Sequence, residues 1–227
     1  MSKLLISALL STAVLCVAGP TSAQTRPAPV APTTAAPSLD PFEQVMAARS
    51  VADYARRTKD VQAMIVAARM LQEVPVTEQA STGPASAPGD AAGAFTAEGL
   101  FEEAKGLAKG DPTLLAQIRL AQSSGRGVLS SAFGRGLVRI VQNMGARASY
   151  VFPIKAKGGE RLRIGAIGGA NTKMVMRMRD GRGRVVCTDD SGDYAPVCSL
   201  DSPAAGDYRV EVLNRSDAPS RTVILSN

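Results

Sequence analysis

Histidine and tryptophan are absent from this chain, and aromatic residues make up only 4% of it. Without histidine there is no His-dependent triad, no imidazole metal site and no imidazole general base. So few aromatics beside many basic residues argue against a stacking platform for single-stranded nucleic acid, and no nucleic-acid partner is expected. Beyond residue 23 no run is long and apolar enough to span a bilayer. Cysteine is scarce as well, with three in 227 residues. Acidic residues are outnumbered, 20 against 26 Lys and Arg, which leaves a formal net charge of +6. Such a surface favours anionic partners.

What is present falls into segments. Lys3, the apolar run 4–17 and Thr21-Ser22-Ala23 occur in the order of a secretory signal peptide, with cleavage expected after Ala23. Cleavage removes Cys16 and leaves Cys187 and Cys198. In an oxidising compartment these two are expected to pair, across a short acidic connection between two strands. The mature protein is then periplasmic or secreted, with no transmembrane segment. Residues 24–39 are rich in Pro and Ala, a composition that opposes helix and sheet and suits an extended linker.

Four helices are predicted over residues 40–127. Asp40 followed by Pro41 opens the first, Asp60 caps the second, and Pro75 closes the pair. Residues 76–94 read as a mobile low-complexity insert. A second pair starts near Phe95 and breaks at Gly110-Asp111-Pro112. The pairing is loosely like tetratricopeptide-type hairpins. The diagnostic residues are missing and two hairpins are too few for an array, so this is a small helical region. Its carboxylate pair Glu102-Glu103 reads as solvated surface charge.

From Leu137 onward the period becomes two. Eight short strands are predicted, with turns at Asp180-Gly181 and at Gly168-Gly169-Ala170-Asn171. Alternation puts Leu162, Ile164 and Ala166 on one strand face, Met174, Met176 and Met178 on another, and Tyr208, Val210 and Val212 on a third. These are expected core rows. The fold class is therefore α+β: a small helical-hairpin region followed by an antiparallel β-sandwich, jelly-roll-like, over 137–227.

The motifs Tyr150-Val151-Phe152, Lys157-Gly158-Gly159-Glu160-Arg161-Leu162, Asp180-Gly181, Gly206-Asp207-Tyr208-Arg209-Val210 and Val212-Leu213-Asn214 occur in an order that resembles the bacterial pre-peptidase C-terminal (PPC-like) domain. That resemblance covers about the last 80 residues. It implies a β-sandwich accessory domain of exported proteins, associated with secretion, adhesion or ligand binding and not with catalysis. Some relatives carry an acidic run that could hold a cation. This chain has Lys173-Met174-Val175-Met176-Arg177-Met178-Arg179 there, so no metal site is carried over.

Candidate ligand-binding residues are the basic cluster Arg161, Arg163, Lys173, Arg177 and Arg179. If their two strands paired directly, Arg161 would oppose Arg179 and Arg163 would oppose Arg177, an unfavourable arrangement that placement in different sheets would relieve. The acidic loop 189–193 reads as a turn; it lacks the spacing and the terminal Glu of a calcium loop. No catalytic residue and no cofactor is assigned. The function expected is an exported, non-catalytic binding or structural protein of the bacterial envelope that takes an anionic polymer or a partner protein. The alternative is an accessory or inhibitory module acting on a separate secreted hydrolase.

Overall fold

The computed structural model describes residues 40–81, 93–124, 136–201 and 203–227. The signal peptide, Cys16 and the whole linker 24–39 lie outside them, as does part of the insert 76–94.

Helix α1 (Pro41–Thr58) starts where Asp40 accepts hydrogen bonds from the Phe42 and Glu43 amides, with Pro41 in the first turn. It ends at Lys59, in the left-handed conformation with φ 58°. Helix α2 (Val61–Gln72) is capped by Asp60, which accepts from Ala63 N at 3.0 Å. Strand β1 (Val76–Glu78) follows. Helix α3 (Ala97–Ala108) is capped by Thr96, and α4 (Pro112–Ser124) by Asp111, which accepts from Thr113 and Leu114. Among the described residues no helix is long and apolar enough to cross a membrane.

Eight further strands follow: β2 (Leu137–Met144), β3 (Ser149–Ala156), β4 (Leu162–Ile167), β5 (Met174–Arg179), β6 (Val185–Asp189), β7 (Val197–Leu200), β8 (Gly206–Asn214) and β9 (Ser220–Ser226). They form a five-stranded sheet in the order β1-β2-β9-β4-β7 and a four-stranded sheet in the order β3-β8-β5-β6. All pairings are antiparallel except β1 with β2.

Three layers result. The inner face of the five-stranded sheet carries Ile140, Met144, Leu162, Ile164, Ala166 and Ile224 against Tyr150, Phe152, the three methionines, Tyr208, Val210 and Val212 of the four-stranded sheet. The expected core rows are this core. Leu137, Ile167, Val223 and Leu225 point the other way, into a second cluster shared with the helices. Ala48, Ala52 and Ala55 of α1, all fully buried, keep that helix face small. Gly165 serves the same contact: a Cβ there would sit 3.1 Å from Cζ of Phe42.

Two expectations need correction. The connection 76–94 is not uniformly without structure, because Val76, Thr77 and Glu78 pair in parallel with Leu137, Val138 and Arg139, and Glu78 makes an ion pair with Arg139. Glu103 is not a solvated charge either; it binds Arg56 through both oxygens, at 2.8 and 2.9 Å.

Cys187 and Cys198 form the expected disulfide, with α-carbons 5.9 Å apart. It ties β6, an edge of one sheet, to β7, an edge of the other.

Candidate ligand-binding face

The five basic residues of the sequence cluster lie on both sheets. Arg161 precedes β4 and pairs with Asp201 at 2.5 Å. Arg163 faces the helical layer. Its guanidinium bonds Asp40 at 2.7 Å and Glu43 at 3.2 Å and lies 5.1 Å over the Phe42 ring, leaving the side chain only 12% exposed. Burial alone would raise the pKa of Asp40, but the Arg163 hydrogen bond and the Glu43 and Phe42 amides outweigh it and hold the carboxyl below its usual value. Arg163 therefore anchors the start of α1. The opposition of Arg161 with Arg179 and of Arg163 with Arg177 does not arise, because β4 and β5 belong to different sheets.

Lys173, Arg177 and Arg179 share the outer side of β5, since the alternate positions Met174, Met176 and Met178 fill the core; Val175 on that side is buried, Arg177 and Arg179 are half-buried and Lys173 is exposed. Strand β8 lies beside them. Arg177 is in register with Glu211, and Arg179 with Arg209. Arg209 is outward because Tyr208 and Val210 are inward. Among the described residues Arg177, Arg179 and Arg209 have no ion-pair partner; Arg179 donates only to the Gly183 carbonyl, at 3.2 Å. Around them Val151 (44% exposed), Pro153, Thr188 and Val185 (49% exposed) occupy the neighbouring register positions. Like charges placed opposite each other across a strand pair are destabilising. Arg179 and Arg209 therefore present a two-cation spot that an anion would relieve. Arg209 was missed in the sequence although its alternation with Tyr208 and Val210 marks it as outward; what the sequence does not reveal is which strand lies opposite.

The loop between β6 and β7 is engaged within the chain. Asp189 accepts from the Ser191 and Val197 amides at 3.1 and 2.8 Å, Asp190 pairs with Arg215 at 2.9 Å, and Asp193 pairs with Arg49. Among the described residues no group of three or more His, Cys, Asp or Glu is arranged to hold a metal ion.

From the same loop Tyr194 enters the helical layer. Its ring lies under the Arg49 guanidinium, 4.7 Å away, and its hydroxyl donates to Asp53 at 2.5 Å while accepting from Arg56 at 3.2 Å. Burial, reinforced by the Asp53 bond, pushes the hydroxyl up to about 12. Burial disfavours the charge on Arg56, but Glu103, Tyr194 and Asp53 outweigh it and raise its pKa. At neutral pH the Tyr194 hydroxyl is thus neutral and Arg56 charged, an arrangement suited to clamping a loop onto a helix.

No protein family and no curated protein matches this chain. Solved structures do. The pre-peptidase C-terminal domain of collagenase from Bacillus anthracis is similar over 38% of this chain and 84% of that one, at 11% identity and a TM-score of 0.33. PliG, a periplasmic inhibitor of g-type lysozyme from Aeromonas hydrophila, is similar over 44% and 93%, at 17% identity and 0.30. The C-terminal CBM6 of LamC, a laminarinase from Zobellia galactanivorans, is similar over 38% and 88%, at 14% identity and 0.25. A pre-peptidase C-terminal domain is thus among the similar structures, as the sequence motifs implied.

Proposed function

We propose that this chain is an exported, non-catalytic binding protein of the bacterial envelope, and that it takes an anionic polymer on the open face of its four-stranded sheet. The observation that carries this reading is the register pair of half-buried Arg179 and exposed Arg209, two cations without an ion-pair partner among the described residues, with Arg177 beside them. A sheet face with repeated cations suits an extended chain of spaced negative charges. Lys173, at the other end of β5, extends the same side of the strand.

Polygalacturonate immobilised on a resin, with neutral dextran as the control, tests the reading. The mature protein should be retained by the polyanion alone and released by salt, since screening weakens exposed charge attraction. The combined variant Arg177→Gln, Arg179→Gln and Arg209→Gln should lose that retention. Equal retention of the variant, or equal binding to dextran, would overturn the proposal.

Export rests on the order of Lys3, the apolar run 4–17 and Thr21-Ser22-Ala23, and on a disulfide, which persists in oxidising compartments. N-terminal sequencing of protein recovered from the periplasm or medium should begin at Gln24. A protein partner is the second reading. Exposed Val151 and Val185 give the face an apolar component that a folded partner, such as a secreted hydrolase, would cover. Co-purification of a discrete enzyme, lost in a Val151→Asp variant, would favour it over the polymer.

A further inference from the structure

A second site lies away from the sheet face. A cleft of about 650 Å3 opens where the end of α1 meets the β4–β5 and β8–β9 connections. That volume lies within the range of about 300–1,000 Å3 usual for small-molecule sites. Arg57 and Lys59 supply its charge, and among the described residues neither has an ion-pair partner; both are exposed. Arg56 and Glu103 also line it, but they are bound to each other. Phe95 and Pro219 add apolar surface.

The opposite wall is a tight turn. Thr172 N donates to the Gly169 carbonyl at 2.9 Å, which makes Ala170 and Asn171 the central residues. The turn is fixed from behind: Gly168 N donates to the Tyr194 carbonyl at 2.8 Å and Gly169 N to Ser220 Oγ at 2.9 Å. There is no slack at Gly168, where a Cβ would fall 2.8 Å from Thr172 Oγ1 and 2.9 Å from Ser220 Oγ. Neither the backbone N–H of Ala170 nor that of Asn171 has a partner among the described residues, and the Asn171 side chain is equally free and exposed.

The wall and rim therefore offer donors: two cations, two fixed amides and a carboxamide. Among the described lining residues the one carboxylate, Glu103, is neutralised by Arg56. Cations in the last turn of a helix are favoured by its dipole, which accounts for Arg57 and Lys59 singly. It does not account for a rigid donor turn across a cleft from them. We propose that this cleft binds a small polyhydroxylated anion, a sugar acid or sugar phosphate. Arg57 and Lys59 meet its charged group, and the 169–172 turn meets its hydroxyl and ring oxygens. Preorganised donors of this kind lose little freedom on binding. The site does not depend on the polymer-binding face.

The test uses the mature protein labelled with nitrogen-15, titrated at millimolar concentrations with galacturonate and glucose 6-phosphate, and with galactose and glucose as neutral counterparts. The Ala170 and Asn171 amide signals should move with at least one anion and not with its neutral counterpart. Arg57→Gln combined with Lys59→Gln should weaken the anion about tenfold or more, as loss of charge-assisted bonds does. The triple Gln variant of the sheet face should bind it as the parent does. Static amide signals with both anions, equal response to a neutral sugar, or parental affinity in the Arg57/Lys59 variant would each overturn the proposal. Loss of polygalacturonate retention with intact sugar-acid binding would separate the two sites.

Discussion

The Tyr194 hydroxyl, carried on the loop between β6 and β7, donates to the Asp53 carboxylate in the middle of α1, 141 residues away in sequence and 2.5 Å away in space. Nearly buried, the tyrosine joins the helical layer to the edge of the sandwich. Tyr194→Phe keeps the ring under Arg49 but removes the donor and leaves Asp53 short of a partner. Arg56 still donates to Asp53 at 3.0 Å, so the expected loss is that of one hydrogen bond to a charged group, about 1.5–3 kcal/mol. Urea denaturation of parent and variant measures it.

The same hydroxyl sets a pH dependence. Its pKa rises from the ordinary 10.0 to about 12 on folding, so the folded state holds the proton more tightly. The stabilisation is complete below about pH 10 and is lost as the pH rises towards about 12. Thermal melts across that window should show a steeper alkaline decline in the parent than in Tyr194→Phe. Identical slopes would mean that Tyr194 titrates as a free tyrosine. Asp40 acts in the opposite direction: its lowered pKa adds stability above the ordinary carboxyl range, lost on acidification.

Removal of the disulfide by Cys187→Ser with Cys198→Ser should cost about 3 kcal/mol or less, given the 11-residue separation. From the sequence alone, the loss is expected to lower the melting temperature of the sandwich and to leave the helical region mostly unaffected. The structure changes that expectation, because the loop that the bridge closes carries Tyr194 and Asp193 onto α1. Helical and β signals should therefore fall together. Far-ultraviolet dichroism and tyrosine fluorescence, followed in one melt, should give coincident midpoints.

Met176 is fully buried at the centre of the methionine row. Met176→Ala should destabilise by about 2–5 kcal/mol, and Met176→Leu by less than about 1.5 kcal/mol. Calorimetry of both variants checks whether the row acts as packing. Near-neutral behaviour of the alanine variant would point to a loosely filled core.

Much of this architecture was legible because its signals are local. Asp40-Pro41, Asp60 and Asp111-Pro112 announce three helix starts with side chains that cap their own first turns. Alternation exposed eight strands and all three core rows, because a pleat sorts neighbours to opposite faces regardless of what lies across. Strand β1 escaped notice: three residues carry no period, and its partner begins about 60 positions later. The charges were hardest to place. Arg163 meets Asp40 across 123 residues and Arg56 meets Glu103 across 47, so neither pair leaves a mark in the local sequence. The same holds for Arg179 opposite Arg209, which depends on strand order. Arg57, Lys59 and Asn171 belong to three dispersed segments, and only the packing of α1 on the sheet brings them to one cleft.

Both faces of the five-stranded sheet are apolar, and β1 comes from the chain between α2 and α3. The sandwich is therefore not a portable cassette. Cut at residue 137 and fused to another protein, it would lose an edge strand and uncover Leu137, Ile167, Val223 and Leu225 as a sticky plane. Duplication or transfer between genes would have to carry the helices along, making the inheritable unit the whole three-layer body.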